Sequence, residues 1–258
     1  MARVEFYFDV VSPYAYLAFK TMLRYAPHWN SSTLVFRPFF LGGAIMASSN
    51  QPPAAVPAKG AHLVNDVKLQ GEMAGFPISM PGNFRKIMTS TLPAMRVLTA
   101  LSLAEDCDGL ATLDALDSSS LSGVTLPPSS HPMISAALLM YESIFDGRAA
   151  ETDFLDPSTL PSILSSCLPN SPDPQPWMDA ASHPTVKAVL KNNTDRIVSA
   201  GAFGGPSFLV FPATDDPDHD PDPQDGTLVF GADRFHVISH LLGPKTHPYF
   251  GLNPPTTL

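Results

Sequence analysis

The chain has 258 residues, of which 44% are hydrophobic, and 15 Lys and Arg against 24 Asp and Glu give a formal charge of -9. This length and composition are typical of one large globular domain or two smaller ones, and they exclude an intrinsically disordered chain. The acidic balance argues against a nucleic-acid-binding protein, which needs a basic surface for phosphate groups.

The N-terminal part predicts a strand, a helix and a second strand. Residues 4–10 are rich in aromatic and β-branched side chains, as in a buried strand. Residues 13–26 predict a helix, because apolar side chains recur there at helical spacing. Residues 33–41 predict another strand, ended by Gly42-Gly43. This order is typical of two parallel strands covered by a helix.

The long middle of the chain, residues 46–185, predicts helices without strand pairs. Four segments have helical patterns, and clusters of Pro, Ser and Gly separate them. Residues 117–130 are predicted to form a loop. Strand patterns return at residues 206–211 and 226–230, which predict an antiparallel hairpin around the acidic, proline-rich residues 212–225.

A final helix is predicted from Asp233 to a C-capping Gly243. The element order therefore predicts an α/β fold, in which a mixed sheet is split by a long helical insertion. We expect a discontinuous domain of residues 1–45 and 186–258, and an insertion domain of residues 46–185.

Ser12-Pro13 marks the start of the first helix. Proline is favoured at the first helical position, so Ser12 is the N-cap, whose ordinary role is to accept hydrogen bonds from exposed amides. Two nearby features suggest a further role. Asp9 ends the first strand, where α/β sheets tend to bind ligands. A glycine-rich segment leads into Pro206, which opens a strand and can form a cis peptide bond.

Together these features resemble the thioredoxin superfamily, in which a helix N-terminus faces a cis-proline loop. Residues 12–15, Ser-Pro-Tyr-Ala, stand where redox members have CxxC, which excludes dithiol chemistry at this place. Five blocks in the same order are similar to the kappa-class glutathione S-transferases and the related 2-hydroxychromene-2-carboxylate isomerases: SPYAYLAF, NQPPAAVPAKGAHLVNDVKL, TLPAMRVLTA, GAFGGPSF and FGADRFHVISHLLG. The resemblance implies a DsbA-like thioredoxin fold. Residues 108–178 and the acidic loop match poorly.

The resemblance implies that glutathione is the cofactor and that Ser12 is the catalytic residue, with its hydroxyl directed at the glutathione sulfur. A helix N-terminus and a hydroxyl donor both favour the thiolate of a thiol whose pKa is ordinarily near 8.5. The residues assigned to glutathione binding by the resemblance are Asn50, Lys59, Gly205, Pro206, Ala232 and Asp233. Taken alone, Lys59 is more often a solvated surface lysine, and Asp233 more often an ordinary acid at a helix start.

Two of these positions depart from the family pattern. Gly205 stands where the family often has a bulkier apolar residue, so we expect weaker glutathione binding or a wider site. Ala232 stands where many relatives have serine, so one hydroxyl contact is expected to be missing. Tyr14, Phe40 and Phe84 are candidates to line an apolar substrate pocket, with core packing as the alternative for each.

The function implied is that of a glutathione-dependent transferase or cis–trans isomerase acting on a small apolar electrophile. The alternative is a non-enzymatic thioredoxin-like binding protein that has lost glutathione turnover. A disulfide oxidoreductase is disfavoured, because no cysteine lies near the first helix. The resemblance also implies a homodimer, and the divergent middle suggests a specialised substrate in secondary metabolism.

Location and metal content follow from simpler patterns. No apolar run reaches the ~18 residues of a membrane helix and no secretory signal is evident, so we expect a cytoplasmic protein that contacts no membrane. Mitochondrial and peroxisomal locations stay open. The histidines have no metal-site spacing, and Cys107 and Cys167 are expected to be buried free thiols.

Overall fold

Five strands form one mixed sheet in this computed structural model, which describes residues 1–103, 122–126, 131–146, 154–168, 173–213, 221–252 and 254. The strands are β1 (Ala2–Phe8), β2 (Ser32–Pro38), β3 (Val124–Leu126), β4 (Ser207–Phe211) and β5 (Thr227–Phe230). Their order is β3-β2-β1-β4-β5, with β1 and β2 parallel and the other neighbouring pairs antiparallel. The predicted mixed sheet and C-terminal hairpin are therefore confirmed.

Helices cover both faces of the sheet. Those in the described part of the chain are α1 (Pro13–Tyr25), α2 (Leu41–Ala47), α3 (Pro57–Ala74), α4 (Phe84–Ile87), α5 (Leu92–Leu103), α6 (Pro132–Phe145), α7 (Thr159–Cys167), α8 (Gln175–Ala180), α9 (Pro184–Ser199) and α10 (Phe235–Leu242). The first and last helices and the four helical segments predicted between them are all present. The shorter α2, α4, α7 and α8 were not predicted.

Two expectations about the strands were wrong. Val124–Leu126 form strand β3 inside the segment predicted as a loop, and β3 pairs with β2 at the edge of the sheet. Three residues are too few to show a strand period. Gly42 and Gly43 lie inside α2 and do not end β2. They allow the ring of Phe40 to lie against this helix, since a Cβ added to Gly42 would be 2.9 Å from Phe40 Cζ.

Successive side chains of β1 point to opposite faces of the sheet. Phe6 and Phe8 point to one face and contact Phe19 of α1 and Phe36 of β2, with ring centroids 4.9–6.4 Å apart. Such edge-on aromatic pairs contribute stability beyond their buried area. Tyr7 belongs to the smaller core on the opposite face, together with Phe39, Ile197 and Leu209.

A buried ion cluster lies beside this smaller core. The Glu5 carboxylate accepts hydrogen bonds from Arg37 (2.9 Å), Arg196 (3.1 Å) and the Tyr7 hydroxyl (2.7 Å). Burial by itself raises the pKa of Glu5. The charges of Arg37 and Arg196 and the hydrogen bonds outweigh this effect and lower the pKa to about 2. The carboxylate is therefore ionised at neutral pH and is paired with cations inside the fold.

The expected division into a discontinuous domain and an insertion stays a prediction, although β3 of the insertion joins the central sheet. Cys167 is a buried free thiol, as expected, and burial raises its pKa to about 11. Cys107 lies outside the described residues, as do residues 214–220 of the acidic loop. None of the described helices combines the length and apolar character needed to cross a membrane.

Candidate active site

A cavity of about 640 Å³ opens beyond the carboxyl end of β1. Its walls come from the start of α1, from α2, from one face of α3, from α4, and from the segments before β4 and after β5. The predicted site residues that line it are Ser12, Tyr14, Asn50, Lys59, Phe84, Gly205, Pro206, Ala232 and Asp233. A volume of this size lies within the usual range for small-molecule sites.

Ser12 is the N-cap of α1, as predicted. Its hydroxyl oxygen accepts a hydrogen bond from the Ala15 amide (3.1 Å), and Pro13 occupies the first helical position. The hydroxyl also donates to the Gly205 carbonyl oxygen, although at 3.3 Å this bond is long. Ser12 therefore lies at the positive end of a 13-residue helix and faces the loop that leads to Pro206.

The Gly205-Pro206 peptide bond is cis, the isomer that the sequence left open. A Cβ added to Gly205 would lie 2.9 Å from Phe39 Cζ and 3.5 Å from Leu41 Cδ1. Phe39 is fully buried, so its ring occupies the space towards which a side chain at this position would point. The missing side chain at Gly205 therefore leaves no gap in that direction.

The other predicted glutathione contacts lie around the rim. Asn50 donates from Nδ2 to the Phe203 carbonyl oxygen (2.7 Å), which joins the loop after α2 to the segment before β4. Lys59 is exposed in the first turn of α3. Asp233 is 56% exposed and forms an ion pair with Arg234 (2.9 Å), while Ala232 is buried. The cavity thus has a cation on one side and a carboxylate on another.

A polar cluster that the sequence analysis missed lies on the α3 wall. The Tyr14 hydroxyl donates to Asp66 Oδ2 (2.7 Å), and Gln70 Nε2 donates to the same oxygen (2.7 Å). Partial burial and the Asp66 carboxylate raise the pKa of Tyr14, so the phenol stays protonated at neutral pH. Lys59, Leu63, Asp66 and Gln70 all line the cavity and recur at steps of four, three and four residues. That helical spacing was the signal available in the sequence.

Of the three predicted substrate-pocket residues, Tyr14 and Phe84 line the cavity and Phe40 is not among its lining residues. The Phe40 ring lies against Gly42 and Gly43, and its backbone amide donates to Thr194 Oγ1 (3.0 Å). Phe40 precedes α2 in extended conformation, which turns its side chain towards that helix. In the part of the chain that the structure describes, no cluster of His, Cys, Asp and Glu could hold a metal ion.

Comparison with known proteins finds a matching domain model and relatives that align over nearly the whole chain. The DSBA-like thioredoxin domain model matches residues 3–112. Glutathione S-transferase kappa 1 of Homo sapiens is 28% identical over 94% of this chain and 91% of its own length. Glutathione S-transferase kappa 1 of Rattus norvegicus is also 28% identical, over 98% and 95%.

Two solved structures share the fold. A 2-hydroxychromene-2-carboxylate isomerase has a TM-score of 0.63 at 16% identity, covering 92% of this chain and 93% of its own. A probable DsbA oxidoreductase from Streptomyces coelicolor has a TM-score of 0.57 at 17% identity, covering 100% and 94%. The chain therefore has a DsbA-like thioredoxin fold, and it is related over nearly its whole length to proteins named glutathione S-transferase kappa.

Proposed function

We propose that this protein, a relative of the kappa-class glutathione S-transferases, is a glutathione-dependent transferase or cis–trans isomerase that acts on a small apolar electrophile. One observation carries the proposal: the Ser12 hydroxyl lies at the N-terminus of α1, faces the cis-Pro206 loop, and opens onto a cavity large enough for two small molecules. The names of the relatives support glutathione as the co-substrate. The position of Ser12 at the cavity supports the site proposed for the glutathione sulfur.

Glutathione would bind along the loop that ends in Pro206. The Gly205 carbonyl oxygen would accept from the cysteinyl amide, which releases the Ser12 hydroxyl to donate to the sulfur. The long Ser12–Gly205 bond of 3.3 Å is weak enough to exchange in this way. Lys59 would meet the glycyl carboxylate and Asp233 the γ-glutamyl ammonium. Asn50 has one amide hydrogen left for the peptide after bonding to Phe203.

The energy needed for thiol activation is within reach of these groups. Lowering the thiol pKa by about two units requires roughly 2.7 kcal/mol of preference for the thiolate. A helix N-terminus contributes about 0.3–1 kcal/mol, and up to ~2 when partly buried. One hydrogen bond to a charged group contributes a further ~1.5–3 kcal/mol. The start of α1 and the Ser12 hydroxyl are therefore sufficient together.

Either reaction begins with the same thiolate. In transfer, the sulfur forms a bond to the electrophilic carbon, which either expels its leaving group with the bonding electrons or passes the electrons of a conjugated double bond to a neighbouring atom that takes a proton from water. The conjugate then dissociates. In isomerisation, the sulfur adds to a conjugated double bond, the resulting single bond rotates, and the thiolate is expelled as the double bond returns. Tyr14 and Phe84 line the same cavity, and their rings would form the apolar wall for the second substrate.

A homodimer, a cytoplasmic location and a substrate from secondary metabolism belong to the same proposal. The resemblance supports the dimer, and the poor match of residues 108–178 supports a specialised substrate. Sedimentation of the purified protein tests the dimer, and a tagged protein imaged in cells tests the location.

Two measurements test the proposed function. Isothermal titration with glutathione is expected to show binding in the micromolar to millimolar range. S-methylglutathione is the matched control, because its methylated sulfur cannot form a thiolate. A free-thiol assay during turnover then separates the reactions, since only transfer consumes glutathione. No heat at millimolar glutathione would favour a thioredoxin-like binding protein that has lost glutathione turnover.

A further inference from the structure

We propose that Asp9 is a positioning residue for this site: its ionised carboxylate fixes the residue before the N-cap of α1 and the first residue of α2 relative to each other, and so keeps Ser12 aligned with bound glutathione. The inference rests on the proposed function and adds a residue that touches neither ligand. Asp9 lies directly after β1, is 1% exposed and is not among the residues that line the cavity.

The contacts of Asp9 join two walls of the cavity. Its Oδ1 accepts from the Val11 amide (3.1 Å) and its Oδ2 accepts from the Leu41 amide (2.9 Å). Its backbone carbonyl oxygen accepts from the Ser12 amide (3.1 Å). Val11, Ser12 and Leu41 all line the cavity, so one residue behind the site is bonded to both sides of it.

Helix α2 depends on this carboxylate at its N-terminus. Leu41 is its first residue, and the side chain of the N-cap residue, Phe40, makes no capping bond. Helix N-termini leave amides unpaired unless a side chain or water accepts from them. Asp9 supplies such an acceptor from another element, and a carboxylate is stabilising at this end of a helix. Leu41 in turn lies next to the position of Gly205.

An ionised carboxylate suits this task and its neutral counterparts do not. Two separate oxygens accept from two amides, whereas an asparagine offers one oxygen and turns an NH2 group towards the other amide. Protonation has a similar effect, because one oxygen then carries a hydrogen. Burial raises the pKa of Asp9 to about 6, against the lowering effect of the bonds from Val11, Leu41 and Thr91. The carboxylate therefore changes charge in mildly acidic solution.

The groups packed against Asp9 do not change charge in the pH range in which Asp9 does. The Tyr141 hydroxyl of α6 donates to the Asp9 carbonyl oxygen (3.1 Å), and burial and the nearby Asp9 charge keep the pKa of Tyr141 well above 10. Thr91 from the segment before α5, Val11 and Leu41 are uncharged, and the described residues include no cation paired with Asp9. Because its folded pKa is raised, the stability that the protonated carboxyl contributes is lost as the pH rises through about 6. The ionised form thus costs stability relative to the protonated form, although it alone offers an acceptor oxygen to each of the two amides.

The test compares Asp9→Asn with the wild type at neutral pH. We expect kcat to fall about 10–100-fold through misalignment of Ser12, with the KM for glutathione changed by less than about twofold. The unfolding temperature should change little, because the cost of an amide left without its acceptor offsets the gain from removing a buried charge. Ser239→Ala is the control, since it removes a buried bond to the His247 carbonyl oxygen away from the cavity and should lower stability without lowering kcat. An unchanged kcat, or kcat and unfolding temperature falling together, would overturn the proposal.

A second readout needs no glutathione. In amide NMR spectra of the wild type, the Val11 and Leu41 resonances should move together with a single midpoint near pH 6, and Asp9→Asn should abolish this movement. If neither amide moves at any pH at which the protein stays folded, Asp9 does not hold these two segments through its charge. Failure to bind glutathione would instead refute the proposed function, so the two failures are distinguishable.

Discussion

Replacing Ser12 by alanine separates its structural role from its chemical one. The change removes the cap on the Ala15 amide, worth ~1 kcal/mol, and the long bond to the Gly205 carbonyl, worth at most about 1 kcal/mol. The expected loss of ~1–2 kcal/mol corresponds to a fall in unfolding temperature of roughly 2–8 °C for a chain of this size. The protein should therefore remain folded.

The effect on turnover should be larger than the effect on stability. Without the hydroxyl, the thiolate loses a hydrogen bond of ~1.5–3 kcal/mol, which raises the thiol pKa by about 1–2 units. At neutral pH we expect kcat/KM for glutathione to fall about 10–100-fold, measured with a chromogenic electrophile. His183→Ala is a matched control, since it removes the bond that caps the Thr185 amide at the start of α9 (3.3 Å), away from the cavity. If both variants lose the same activity, Ser12 acts only as a cap and the reasoning fails.

Three further outcomes follow from the structure. Gly205→Ala should lower the free energy of unfolding by about 1–3 kcal/mol, because the new Cβ would lie 2.9 Å from Phe39 Cζ. Adding Phe39→Leu to this variant should restore part of the lost stability. An unchanged unfolding temperature of Gly205→Ala would contradict this. Glu5→Gln should cost about 3–5 kcal/mol in urea unfolding, because Arg37 and Arg196 lose the buried carboxylate charge with which they form ion pairs. With the folded pKa of Glu5 near 2, the wild-type stabilisation should be complete above pH 4.5 and decline between 4.5 and 2; a pH-independent stability there would refute the pairing. Asp233→Asn should raise the KM for glutathione about 5–10-fold with kcat nearly unchanged, and a fall in kcat alone would argue against a contact with the ammonium.

The parts of the fold that the sequence predicted are those with strong local signals. β1, α1 and the C-terminal hairpin have clear periodicity or turn residues, and Ser12-Pro13 is an N-terminal helix signal independent of tertiary contacts. β3 was missed because its three residues become a strand only by pairing with β2. Helix α2 was missed for a similar reason. In the sequence Gly42-Gly43 suggests a turn, and only the structure shows that the Phe40 ring lies against these two glycines.

The site residues also divide into those that the sequence predicted and those that only the folded structure shows. The residues assigned by resemblance all line one cavity. Phe40, a candidate for the substrate pocket, does not line it, because the direction of a side chain depends on the local backbone. The Asp66–Gln70 pair was detectable from helical spacing but had no motif to draw attention to it. The bond from Leu41 to Asp9 joins residues 32 positions apart, so only the packed structure reveals it.

The most direct test of the account is the ionisation of bound glutathione. The ultraviolet absorbance of the thiolate, followed as the pH is raised, gives the thiol pKa in the complex. We predict a pKa about 1–2 units below that of free glutathione with the wild type, and most of this shift absent with Ser12→Ala. A bound thiol that ionises at the same pH as the free one would contradict the account.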